Sequence, residues 1–354
     1  MKNFFSKFGF TLNIGAVFLL LLAYLAPYVP PDFFWPLSFF GLAYPYLMLV
    51  NLIFLVVWIL QLSKRLLLPL IALLIGFYSF TNTFQLFPKT QLHDGVMVLS
   101  FNVHGFKSDL RNRKANTPKV LKYFESTGAD IICLQEALRD SKGPLSAQGI
   151  MDAMTGIKYF QMASASSGAG SITFSKYPII NFGEIRFPDS SNLVLFSDLK
   201  ISDRHTIRVY NCHLQSYSID PDDYSVIDSI GLGSGGKQLK EARRVSYRLK
   251  TGFTMRALQA RKVADHIRQS PYPVIVCGDF NDTPVSYAYR KVRGDLKDAF
   301  VEAGWGISNT YNGILPSFRI DYILCSQKFA VKNYKRDKVY LSDHFPVRSQ
   351  LFLK

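Results

Sequence analysis

Charge is nearly absent from the first 88 residues. Segments 8–31, 33–63 and 66–88 contain no Asp, Glu, Lys or Arg. Cysteine is scarce too, with four in 354 residues, each inside an apolar run and none at zinc-ligand spacing. That excludes a zinc ribbon and a disulfide-rich scaffold, and Cys133, Cys212, Cys277 and Cys325 read as buried free thiols. The glycines of segment 168–171 are followed by no lysine at P-loop spacing, which excludes that kind of phosphate cradle. No internal repeat and no second soluble domain is visible.

The three uncharged runs are instead rich in Leu, Phe, Val and Ile. About 20 apolar residues in a helix span the ~30 Å of membrane hydrocarbon, so each run is long enough to cross. Lys2 and Lys7 precede the first run, but its length and the two runs that follow argue against a cleaved signal peptide. Three transmembrane helices are therefore expected in a membrane anchor over residues 1–90, with one soluble domain over 91–354. Pro36 and Pro45 blur the boundaries of the second run. The basic residues Lys2, Lys7, Lys64 and Arg65 fall on one side of this arrangement. An odd number of spans then sets the soluble domain on the other side. In a bacterial cell that means the inner membrane, with the domain outside the cytoplasm.

The formal net charge is +15, and most of it lies after residue 88. Such a balance suits anionic partners: nucleic acid, phosphorylated metabolites or acidic lipid head groups. Segment 237–268 concentrates it, with ten Lys and Arg against Glu241 and Asp265. This stretch reads as a helix that grips a polyanion or lies on lipid head groups. The alternative is a solvated basic face over a sheet, with Leu258, Val263 and Ile267 turned inward.

From Gly95 onward, short β-rich runs alternate with turns and helical stretches, as in an α/β domain. Strands are expected at 96–103, 131–138, 171–175, 193–201, 206–214, 274–280, 321–326 and 345–353. Several apolar runs deliver a polar residue at one end: Asn102, Glu136, His213, Asp279 with Asn281, Asp321, and the pair Asp343-His344. Rigid strands that repeatedly present carboxylate, imidazole and amide groups are building one site.

That inventory suits phosphoester hydrolysis. A hard cation such as Mg²⁺ (or Mn²⁺) takes oxygen ligands and one or two carboxylates, and Glu136 with Asn102 and Asp343 fits that part. Asp279 is suited to activating water, Asn281 to donating to a phosphoryl oxygen, and His213 and His344 to stabilising developing charge. Asp321 can orient His344. His104, two residues past Asn102, can reach the pocket but reads better as a turn or supporting residue. Asp282 reads as a turn residue before Pro284 rather than a ligand, and His93, His205 and His266 read as ordinary surface or helix positions.

The motifs SFNVHG (100–105), LQE (134–136), GAGSITFSKYPI (168–179), NCHLQS (211–216), GDFNDTP (278–284), RIDYIL (319–324) and SDHFPV (342–347) occur in that order. Together they resemble the endonuclease/exonuclease/phosphatase superfamily, with its DNase I-like fold. The resemblance covers residues 95–354. It implies a four-layered α/β sandwich of two packed mixed β-sheets flanked by helices, with the eight residues named above converging on one pocket.

A metal-dependent phosphodiesterase acting on nucleic acid is the leading expectation, resting on the basic segment. A lipid or inositol-phosphate hydrolase, like the sphingomyelinases of the superfamily, is the alternative suggested by the anchor. A non-catalytic membrane scaffold conflicts with the complete set of acids, amides and imidazoles. Segment 217–236 directly follows the His213 motif and is where substrate preference is expected to reside.

Overall fold

The structure is a computed structural model that describes residues 2–87, 95–106, 113–138, 142–164, 169–217, 236–313 and 318–354. Twelve strands form two six-stranded sheets among these residues. They are β1 (Val96–Asn102), β2 (Ile131–Leu138), β3 (Tyr159–Ser164), β4 (Ala169–Ser175), β5 (Ile179–Arg186), β6 (Leu193–Lys200), β7 (Thr206–His213), β8 (Val274–Asp279), β9 (Lys297–Asp298), β10 (Asp321–Cys325), β11 (Phe329–Arg336) and β12 (Val347–Leu353). The first sheet runs β11-β12-β1-β2-β4-β3 and the second β5-β6-β7-β8-β10-β9. Each is mixed: β1 lies parallel to β2 and β7 parallel to β8, while the other pairs are antiparallel. Each parallel pair is joined by a crossover that contains a helix, Arg113–Thr127 in the first and Gly236–Arg268 in the second.

Side-chain alternation sorts these strands into layers. Val98, Ile131, Cys133 and Val347 of one sheet meet Val209, Ile275, Cys277 and Ile323 of the other in a dry central core. The alternate residues face outward. Leu99, Phe101 and Leu134 pack on Val120, Phe124 and Ile150 of the first sheet's helices. Val274, Val276 and Leu324 pack on Ala260, Val263 and Val292 of the second sheet's helices. All four cysteines are free and buried.

The N-terminal segment is helical, and its polarity is inverted relative to the sandwich. Phe18, Leu52, Ile53, Ile59 and Leu60 are exposed, whereas Asn13, Asn51 and Asn82 are buried. Trp58 Nε1 donates to Asn13 Oδ1 at 3.0 Å, and Asn51 Nδ2 donates to the Ala16 carbonyl at 3.1 Å. Residues Lys7–Leu25 form a helix long and apolar enough to cross a membrane. The second and third apolar runs are bent pairs, Pro36–Leu42 with Tyr44–Leu60 (63°) and Lys64–Ile75 with Phe77–Thr83 (60°). Among the described residues there is therefore one such helix, or as many as three if each bent pair is a single span.

Candidate active site

Register brings the polar strand ends together. In the second sheet His213 pairs with Asp279 across β7 and β8, and Asp279 pairs with Asp321 across β8 and β10. In the first sheet Asn102 pairs with Gln135, the neighbour of Glu136. Asn102, Asp279 and Asp321 extend their strands' inward alternation, so they meet at one end of the central core. Asn102 Nδ2 bridges the sheets, donating to Glu136 Oε1 at 3.1 Å and to Asp279 Oδ2 at 2.9 Å. Directly beneath, Gln135 Nε2 donates to Asn211 Oδ1 at 2.8 Å, a second polar link inside the core.

Local backbone distortion aims three of the side chains. The β2–β4 register shifts between Leu134 and Ala137, and Glu136 at that bulge has φ +53°. His104 (φ +43°) and Asn281 (φ +53°) are also left-handed. Each such non-glycine residue costs about 1–3 kcal/mol, and three of them around one pocket mark it as a place where position is held against strain. Gly278 has φ +137°, and a Cβ there would collide with the Cys212 carbonyl of the neighbouring strand. Glycine is what lets β8 run beside β7 up to Asp279.

Asp279 is buried beside His344 and Asp321. His344 Nδ1 lies 2.9 Å from Asp321 Oδ2, and its Nε2 lies 3.7 Å from Asp279 Oδ2. Burial alone would discharge the imidazole, but Asp321 and then Asp279 outweigh it and hold His344 up at about 10. Burial, with Asp321 adding to it, raises the Asp279 carboxyl to about 6 against the pull of His344, His213 and Asn102. The Asn281 backbone N–H donates to Asp279 Oδ1 at 2.7 Å, and its side chain donates to the Leu214 carbonyl at 3.0 Å. Thr310 Oγ1 accepts from the backbone N–H groups of Ile320 and Asp321 at 3.0 and 3.1 Å, and the Tyr311 ring stands edge-on to His344.

Glu136 and Asp343 form the more open half, with side chains 30% and 33% exposed. Both face His104, whose Nδ1 lies 3.4 Å from Glu136 Oε2 and 3.7 Å from Asp343 Oδ1. The hydrogen bond to Glu136 is the main cause of a raised His104 pKa. Burial pushes the Glu136 carboxyl up, but His104, His213 and Asn102 prevail and hold it at about 2. His213 Nε2 sits 3.4 Å from Glu136 Oε1 and has no hydrogen-bond partner among the described residues. Two partly exposed carboxylates, with the Asn102 amide beside them, form a donor set that fits a hard divalent cation. A second cluster, Asp279, Asp321 and His344, has ligand atoms within 4.8 Å of one another. It is buried, with its imidazole held between Asp321 and Asp279, so the more open cluster is the better fit.

All eight residues singled out in the sequence line this pocket. The sequence allowed His104, two residues past Asn102, to reach the pocket but favoured a turn or supporting role; the structure sets it against Glu136 and Asp343. The sequence reading missed Thr310 and Tyr311, which belong to no motif, and gave no role to Ser342, which opens the SDHFPV motif and whose Oγ donates to the Asn102 carbonyl at 2.8 Å. His266 lies in the helix Gly236–Arg268, as expected, with its Nδ1 2.8 Å from the Tyr210 hydroxyl. Asp282 is more than a turn residue, because it accepts from the buried Arg256 at 3.1 Å. Segment 218–235 and His93 lie outside the described residues.

Residues 99–344 match the Endonuclease/Exonuclease/phosphatase family. The chain belongs to that family. It is a hydrolase acting on phosphate ester bonds, and enzymes of the family typically depend on a divalent metal. Residues 3–83 match a separate domain of unknown function. No curated protein matches the chain. Among solved structures, an endonuclease/exonuclease/phosphatase from Bacteroides vulgatus is similar at 18% identity and TM-score 0.52, over 74% of this chain and 100% of that one. One from Beutenbergia cavernae gives 17% and 0.51, over 74% and 72%. The human Nocturnin catalytic domain, solved with a bound sulfate anion, gives 16% and 0.51, over 75% and 97%. At these identities the likeness is one of fold.

Proposed function

We propose that this hydrolase is a divalent-metal-dependent phosphodiesterase held at a membrane by its N-terminal helices. The observation that carries the reading is the meeting of Asn102 and Glu136 from one sheet with His213, Asp279 and Asp321 from the other, closed by Asp343 and His344. Glu136, Asp343 and Asn102 would hold Mg²⁺ or Mn²⁺. The ion, when bound, supplies positive charge to the phosphoryl oxygens. Asp279, held near 6, is deprotonated at neutral pH and takes the proton of the attacking water. Asn281 orients that water or a phosphoryl oxygen. His344, kept protonated by Asp321, donates to the charge that develops on phosphorus-bound oxygen. His213 Nε2 offers a further donor on the opposite side.

The structure alters the weight between substrates. The basic helix spends much of its charge internally: Arg256 on Asp282, Arg261 on Asp32, Arg268 on Asp265 and Lys262 on the Arg186 carbonyl. Leu258 is exposed, and alanines 257, 260 and 264 take the inward face with Val263. Meanwhile the site stands close to the apolar helices. Val285, within about 14 Å of Asn281 by chain reach, packs with Val17, Leu20, Tyr44 and Ala72 of those helices. Exposed Leu86, Phe87, Trp305 and Ile307 flank the bridge between Gln85 and Gly306. These features favour a phosphodiester carried on a membrane lipid. Nucleic acid is the second reading, favoured by the exposed Arg243 and Lys250 and the net charge of +15.

Topology follows the same logic. Arg65 stacks over Phe10 and Trp58 at one end of the helices, while Tyr28, Asp32, Trp35 and Phe39 touch the sandwich at the other. The basic ends and the catalytic domain therefore lie on opposite sides, which supports a domain outside the cytoplasm of a bacterial inner membrane. The test is hydrolysis of bis(4-nitrophenyl) phosphate by the full chain in detergent with Mg²⁺. Loss with EDTA and with Asp279→Asn is expected. Full activity of Asp279→Asn would sink the assignment.

A further inference from the structure

We infer that the helical N-terminal segment is the seat on which the catalytic loops rest, and that Arg256 is the positioning residue joining seat to site. The inference builds on the active-site reading above and adds a role for residues 31–85 beyond anchoring.

Three segments that carry site residues end on these helices. The first continues from Asp279 and Asn281 through Asp282 to Val285. Val285 is buried in the apolar cluster of the helices, and Gly41 has no room for a Cβ because the Val285 carbonyl lies against it. The second continues from His213 to Gln215 and Tyr217. The Tyr217 ring meets Phe253 edge-on at 5.3 Å, and Phe253 meets Phe39 of the helical segment edge-on at 5.5 Å. The third leads into Asp321. Two residues earlier, buried Arg319 donates to the Asn82 carbonyl at 2.7 Å and to Asp298 Oδ2 at 2.8 Å.

Arg256 ties the first two segments together. Its guanidinium is wholly buried, with Nε donating to Asp282 Oδ2 at 3.1 Å and Nη1 to the Gln215 carbonyl at 2.7 Å. It lies 4.1 Å over the Tyr217 ring and 5.4 Å over Phe253. Asp282 adjoins Asn281, and Gln215 follows His213 by two. Between them Asn281 Nδ2 donates to the Leu214 carbonyl, and the Leu214 N–H donates to the Asp279 carbonyl. Holding a domain on its anchor does not require this. The paired hydrogen bonds of Arg261 to Asp32, at 2.9 and 2.8 Å, do that at the surface. A buried ion pair is a poor source of stability but a good way to fix geometry. Here it fixes the loops that present His213 and Asn281.

The experiment uses the full chain in detergent micelles, with bis(4-nitrophenyl) phosphate as probe and Mg²⁺ as ion. The variants are Phe39→Ala, Arg256→Met and Arg256→Lys. Phe39→Ala and Arg256→Met should each lower kcat about tenfold or more with KM changed less than about threefold, the split expected when catalytic groups are misplaced. Arg256→Lys, which keeps the charge but not the fork, should recover part of kcat. Manganese affinity should not change, because Asn102, Glu136 and Asp343 lie outside the loops involved. Hydrogen exchange gives an activity-independent readout. In Phe39→Ala, backbone amides of 212–217 and 279–286 should exchange faster while those of 96–102 do not. Unchanged exchange in both loops would overturn the proposal. So would a kcat loss that merely follows the unfolded fraction. If the wild-type chain fails to hydrolyse the probe, the active-site reading fails, and the exchange data still decide whether the helices seat the loops.

Discussion

Replacing Asp321 with Asn removes one carboxylate from His344 and keeps the shape of the side chain. A unit charge pair about 4 Å apart near an effective dielectric of 20 is worth ~4 kcal/mol, and each pKa unit corresponds to about 1.4 kcal/mol. Losing Asp321 therefore lowers the His344 pKa by about 3 units. In the intact protein that value is about 10, with Asp321 2.9 Å away as the leading cause that opposes burial. His344 in Asp321→Asn should then titrate near 7, with Asp279 its remaining carboxylate within about 4 Å among the described residues. The assay is kcat/KM of the full chain from pH 5 to 11. The wild type should rise as Asp279 deprotonates around 6 and fall only near 10. The variant should lose activity two to three pH units earlier, leaving a narrow maximum. The sign also carries over to stability. His344 has a raised folded pKa, so its pairing stabilises fully below its unfolded value of about 6.5 and gives that stability up as pH climbs through about 10. An alkaline limb that stays put in Asp321→Asn would refute the assignment of His344 as the protonated donor.

Other outcomes follow from the same geometry. Glu136→Gln removes the open carboxylate that faces His104 and should weaken Mn²⁺ binding by about tenfold or more in calorimetry, leaving Tm within a few degrees. Gly278→Ala meets both a φ of +137° and the Cys212 carbonyl, so it should destabilise by at least about 1–3 kcal/mol, read as a lower Tm. If nucleic acid is bound through the basic helix, DNA affinity should fall steeply with salt; we expect a shallow slope, because Arg256, Arg261 and Arg268 are already paired.

Much of the site was legible because its residues terminate apolar strands whose alternation is visible in the sequence. LSFN, IICLQE and VIVCGD each bury one face in the central core and deliver a polar group at the end. The strands that escaped notice, β3, β5, β9 and β11, are edge strands. β5 is largely exposed, with burial confined mainly to Ile185, so it shows no clean two-residue period. His104 was ranked too low for a different reason: the left-handed turn after β1 swings it between Glu136 and Asp343, and conformation of that kind leaves no periodic trace. The basic helix illustrates the opposite failure. Its charge was plain in the sequence, but the distant partners Asp32 and Asp282, which pair with Arg261 and Arg256, become visible only in three dimensions. The 8–31 run folds as one long helix as far as Leu25, while Ala43 and Gly76 interrupt the other two into bent pairs.

The most direct measurement of the central claim is made with the full-length chain reconstituted in phospholipid vesicles with Mg²⁺, following release of phosphorylated head group and, in parallel, nicking of plasmid DNA. We predict head-group release that EDTA and Asp279→Asn both abolish, with little nicking. Hydrolysis of either substrate that proceeds undiminished in Asp279→Asn would contradict the account at its centre.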